Sequence, residues 1–149
     1  MKRISVITFL ILIGFIYTKG QETEKKQYKT VKISIAPDID GILNDDAWLA
    51  GEWADDFTQY EPFNGKPASQ RTEFKILYDD DNLYVAIKAY DTCPDSIVSR
   101  LSRRDNTDGD LVGIILDSYH DLRTGFLFGV SSSGVKYDRI FTNDGNNDD

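Results

Sequence analysis

PDIDGILNDDAW, Pro37 to Trp48, puts a turn, a helix start and a large aromatic into twelve residues. It follows the apolar alternation Val31, Ile33, Ile35, the mark of a strand. Asp40-Gly41 is a turn dipeptide. Asn44 is a candidate N-cap, and Asp45 and Asp46 stand in the first turn, where the helix dipole favours carboxylates. Gly51 supplies the stop. A helix near 45–50 is too short to be stable alone, so the pattern predicts that Trp48 and Leu49 are buried against something larger.

Working outward, Asp55 to Arg71 carries Pro62, Gly65 and Pro67 with no sustained period and reads as a long loop. The period then becomes two. Phe74, Ile76 and Tyr78 face one side and Glu73 and Lys75 the other, and Leu83, Val85, Ile87 and Ala89 repeat the alternation after Asp79-Asp80-Asp81-Asn82, which predicts a hairpin with an acidic loop. Leu111 to Leu116 is apolar on both faces and predicts a central strand. Phe126, Phe128 and Val130, the turn Ser132-Ser133-Gly134, then Val135, Tyr137 and Ile140 predict a second hairpin. Ile97 to Leu101 fits a strand or one helical turn, with strand preferred. Short strands separated by turn residues imply an all-β, antiparallel β-sandwich, immunoglobulin-like or jelly-roll-like, with one short helix near 45–50. NDGNNDD adds no closing apolar strand, so the sandwich is expected to be incomplete at its C-terminus, with an open sheet edge.

Ile39, Asp40, Gly41, Leu43 and Trp48 resemble the I-D-G-x-L-x-x-x-x-W opening of family 9 carbohydrate-binding modules. The resemblance continues through YEPFNGKPASQRTEFKILYDDDNLYVAIKAYD (Tyr60–Asp91), LSRRD (Leu101–Asp105) and LVGIILDSYHDLRTGFLFGVSSSGVKYD (Leu111–Asp138). It is most similar to the version found at the N-terminus of exported proteins whose remainder resembles an outer-membrane-type β-barrel. A related version accompanies secreted xylanases. The resemblance implies a non-catalytic module that binds a polysaccharide or oligosaccharide of xylan or β-glucan type, within a protein engaged in carbohydrate catabolism and associated with O-glycosyl hydrolysis. It also implies a structural calcium ion. Asp40, Gly41 and Trp48 mark the fold, not the ligand. The family's sugar-clamping pair of tryptophans does not map onto this chain, whose second tryptophan is Trp53. That departure supports a rival reading, an interaction domain that packs on a downstream outer-membrane barrel and binds no sugar.

Residues 1–20 show the parts of a secretory signal: Lys2 and Arg3, the apolar run Ile4 to Tyr17, and a polar exit ending at Gly20. The run is too short to span a bilayer, so export with cleavage before Gln21 is expected, to the periplasm, the outer membrane or the medium. Residues 21–29 have the composition of a flexible linker, and 30–149 form the sandwich. Losing residues 1–20 removes three bases and no acid, moving the net charge from −8 to −11 and excluding nucleic acid as a natural partner. Cys93 is the only cysteine, so no intrachain disulfide can form; it reads as a small, half-buried apolar residue.

Catalysis finds no support. Acids are abundant but lie in turns, and His120, the only histidine, sits in a polar loop without a G-x-S-x-G motif. Sugar recognition needs flat aromatic faces and charged or amide groups that reach hydroxyls. The candidate binding residues are Trp53, Tyr60 and Phe63 from the long loop, Arg103, Arg104 and Asp105, and Tyr119 with Arg123. Two readings stay open for them: Trp53 and Phe57 could instead staple the loop to the core, and Arg103 and Arg104 could pair with neighbouring acids. For calcium the candidates are Asp79 and Asp81 in the acidic turn, and Asp144 and Asp148, although Asp149 stands where a calcium loop wants glycine.

Overall fold

The computed structural model describes residues 25–106 and 108–142. The signal segment and the acidic pair Asp144 and Asp148 lie outside the described residues. The described chain is all-β, two three-stranded sheets linked by loops and two 3₁₀ turns. The first sheet contains β1 (Val31–Lys32), β2 (Thr72–Tyr78) and β3 (Leu83–Ala89) in that order. The second contains β4 (Leu111–Leu116), β5 (Gly125–Ser131) and β6 (Lys136–Phe141). Both predicted hairpins form. β2 and β3 pair antiparallel with Phe74 opposite Ile87 and Lys75 opposite Ala86. β5 and β6 pair antiparallel with Phe126 opposite Ile140. β1 joins β2 in parallel, placing Val31 opposite Leu77.

Four expectations change. The Trp48 segment is a single 3₁₀ turn, Asp46–Leu49, with Asp45 and not Asn44 at its N-cap and no side-chain capping bond. With so few backbone bonds to gain, the turn follows from tertiary packing: Trp48 is buried while Leu49, on the opposite side, is 81% exposed. β4 is an edge strand, since β5 takes one side and no described strand takes the other; of its two faces, the one carrying Leu111 and Ile115 is open to solvent. Ile97–Leu101 follows a 3₁₀ turn, Pro94–Ser96, and forms no strand; instead the Val98 N–H donates to an Asp110 carboxylate oxygen at 3.0 Å. Cys93 is exposed, in the loop after β3.

The core of the first sheet is Ile33, Trp48, Leu77, Tyr84 and Ala86, with Leu43, Ala47, Ala50 and Trp53 packed around it. The alternation of β2 is as expected, but its more deeply buried face carries Lys75 and Leu77. The 45–53 segment lies on that face. The ammonium of Lys75, 2% exposed, donates to the carbonyls of Trp48 at 2.7 Å and Gly51 at 3.1 Å. A lysine stem covers apolar surface while its head satisfies carbonyls at the end of the turn, so a charge is tolerated inside. The other face of β2 is covered by aromatic neighbours: Tyr28 and Phe57 stand 5.0 and 5.7 Å from the Phe74 ring.

Candidate functional site

Trp53 is where the first sheet offers a built site. The chain leaves the 3₁₀ turn at Gly51, whose φ of +69° turns it sharply, and Ala54 bridges to Phe74 on β2. Between these anchors the Trp53 ring lies half-buried on the Lys75 face. The Lys88 ammonium stands 3.9 Å above its centroid and that of Lys75 5.0 Å away. Both contacts are favourable cation–π geometry, but they place two like charges on one indole. Burial, and after it the Lys88 charge, hold Lys75 below the usual lysine pKa.

Trp53 lines a cleft of about 630 Å³ with Gln27, Tyr28, Lys29, Val31, Glu52 and Ala54. A neighbouring cleft of about 470 Å³ shares Gln27, Tyr28 and Ala54 and adds Asp55, Asp56 and Phe74. Two aromatic residues, an amide and charges of both signs therefore line one depression, with the Tyr28 ring on the Phe74 face of β2 and the Trp53 ring on the Lys75 face. Tyr28 is the residue sequence reasoning missed, because it stands in the segment read as a linker. Its hydroxyl donates to the Glu52 carbonyl at 2.8 Å and accepts from the Ile76 N–H at 3.2 Å, docking residues 25–30 on β2. Lys26 adds an ion pair with Asp56. Only the lone aromatic within the charged run hinted at this anchor.

The other predicted site residues divide between the long loop and the second sheet. Tyr60 and Phe63 lie on the 55–71 loop, 81% and 54% exposed, with the Lys66 ammonium 4.3 Å over the Phe63 ring. Arg104 is ion-paired with Asp138 of β6 and, at 3.5 Å, with Asp105. Asp105 accepts from the Asp138 N–H at 2.9 Å. These bonds tie the 103–106 turn to β6. Arg103 is exposed beside them. Tyr119 packs its ring 5.9 Å from Phe126, and the Arg123 N–H donates to Asp121 at 2.8 Å. Asp117 and Asp121 accept backbone N–H groups throughout this loop, and the Thr124 and then the Arg123 amides hold Asp121 below the usual carboxylate range. His120 is exposed.

The acidic 79–82 turn does not fit calcium as folded. One Asp79 oxygen accepts the Asp81 and Asn82 N–H groups, at 2.8 and 2.6 Å, and the other accepts the Tyr84 hydroxyl at 2.6 Å. The carboxylate thus closes the hairpin, and the Tyr84 bond first, then the Asp81 amide, hold its pKa below the usual range. Among the described residues no group of three or more His, Cys, Asp or Glu side chains is placed to hold a metal ion.

A third cleft, about 470 Å³, lies between β3 and β4 under the 38–43 loop. Trp48, Leu43, Val85, Ile114 and Phe128 line it with Asp38 as the one ionisable residue, so it offers hydroxyl groups almost no partners. No curated protein and no solved structure gives a significant match. A family model described as carbohydrate family 9 binding domain-like matches residues 39–146, most of the chain, and the chain belongs to that family of carbohydrate-binding domains.

Proposed function

We propose that this domain binds a glycan of xylan or β-glucan type at the Trp53 cleft, without catalysing its cleavage, as part of an exported protein of carbohydrate catabolism. The observation that carries the reading is the convergence of Trp53 and Tyr28 with Gln27, Lys29 and Glu52 in one depression, in a chain of a carbohydrate-binding family. The rings supply stacking area and the polar groups supply hydroxyl partners. The exposed rings of Tyr60, Phe63 and Tyr119 extend the surface available to a longer chain. One or two sugar rings bury little area, so affinity in the micromolar to millimolar range, on the order of 4 to 8 kcal/mol, is expected. Calorimetry of the full-length protein against xylo- and gluco-oligosaccharides tests this. Trp53→Ala should weaken binding about tenfold or more, whereas a folded protein that gives no heat with a broad glycan panel refutes it. Export predicts a mature N-terminus near Gln21; recovery of the intact Met1 form in a membrane refutes that part.

The apolar cleft between β3 and β4 favours a second reading, a domain that packs on a downstream outer-membrane barrel. Under it, isolated barrel would capture the folded domain and glycans would not compete.

A further inference from the structure

Two ammonium groups share the Trp53 ring, and neither has a carboxylate. Lys75 is satisfied by carbonyls alone. Lys88, half-buried on β3, has no hydrogen bond or ion pair among the described residues. The acid directly opposite it in the ladder is Glu73. That carboxylate is already engaged on both oxygens, by the Arg71 guanidinium and by the Tyr90 hydroxyl at 2.7 Å. The cleft's own lining carries one base, Lys29, and one acid, Glu52. The Trp53 ring is therefore a point of uncompensated positive charge in a chain of net charge −8.

Position separates the roles of the two lysines. Lys75, 2% exposed and pinned to the 48–51 carbonyls, cannot reach a ligand. Lys88 lies over the ring face itself, 3.9 Å from the centroid. A neutral pyranose stacking there must first displace an ammonium from a favourable cation–π position. A carboxylate need displace nothing, since it pairs with Lys88 in place and lowers its repulsion with Lys75.

Resting on the glycan-binding reading of Trp53, we propose that the ligand is an acidic glycan, a chain bearing uronic acid groups, and that Lys88, which lies over the Trp53 ring and is not among the residues lining the cleft, receives a carboxylate of the chain as it passes that ring. Lys75 is a positioning residue: its bonds to the Trp48 and Gly51 carbonyls fix the segment that carries Trp53.

The test is calorimetry of the full-length protein at low salt against two probes with the same xylan backbone, one neutral and one carrying a uronic acid branch. The acidic probe should bind about tenfold tighter, as expected for one charge-assisted contact. Raising the salt to about 0.5 M should shrink that gap severalfold. Lys88→Met, checked for folding by near-ultraviolet circular dichroism, should lower affinity for the acidic probe to that for the neutral one, and Lys88→Arg should restore the preference. Equal binding of the two probes, or a preference that survives Lys88→Met, overturns the inference while leaving glycan binding intact. If Lys88→Met does not fold, the salt dependence of the native protein decides, and a preference unchanged by salt overturns the inference. No binding of either probe by folded protein overturns both readings.

Discussion

Replacing Trp48 by alanine should destabilise the first sheet by about 3 kcal/mol. The side chain is 6% exposed and packs with Ile33, Leu77, Tyr84 and Ala86. A tryptophan buries on the order of 200 Å², and at about 25 cal/mol per Å² its burial is worth up to about 5 kcal/mol. A denatured chain already hides part of that surface, which brings the figure to about 4 kcal/mol. The indole N–H is buried and finds no acceptor among the described residues. Its removal relieves a desolvation cost of about 1 kcal/mol, leaving about 3 kcal/mol, at the low end for such truncations. Trp48→Phe keeps most of the ring and loses the unpaired donor, so it should cost less than about 1.5 kcal/mol. Urea unfolding followed by far-ultraviolet circular dichroism reads both. With a slope of about 1.5 kcal/mol per M, the alanine midpoint should fall by about 2 M. An alanine variant within about 1 kcal/mol of the native protein would refute the burial argument. Equal losses for alanine and phenylalanine, both of which remove the indole N–H, would refute the packing contribution of the ring. A stable alanine variant that loses glycan affinity would show that scaffold and site had been exchanged.

Two further outcomes follow from the same geometry. Asp79 has a depressed folded-state pKa, so its stabilising effect is present above the ordinary carboxylate value and is lost as pH falls through the folded one. Asp79→Asn should therefore flatten the dependence of melting temperature on pH below about 4, and an unchanged acid limb would count against the turn's role. Gly109 has φ +146°, and an added Cβ would stand 2.3 Å from the Val98 carbonyl oxygen. Gly109→Ala should cost about 1–3 kcal/mol and disrupt the Asp110–Val98 pairing. Gly134→Ala, with φ +81° but open space around it, should cost less, and the reverse order in thermal melts would contradict the contact geometry.

Local signals made both hairpins legible, because a two-residue period and turn residues act on the chain where they stand. The Asp40-Gly41 turn is of that kind: Asp40 accepts the Ile42 N–H at 2.8 Å and Gly41 takes φ +87°. The family resemblance, carried by the spacing from Ile39 to Trp48, was legible as well. The buried face of β2 was not. Lys75 looked like an outward residue, and only the 45–53 segment crossing above it supplies the carbonyls that let an ammonium lie inside. Tyr28 was hidden for the same reason, since its anchors, Glu52 and Ile76, are distant in sequence. Arg103, Arg104 and Asp105 were open between facing a sugar and pairing with neighbouring acids, and the bonding of Arg104 and Asp105 to Asp138 depended on where β6 passes. The sequence by itself determined the two hairpins, their turns and the family. Tertiary structure decided the rest, including the Trp53 cleft and the two lysines on its ring, because burial and charge pairing depend on which distant segments meet.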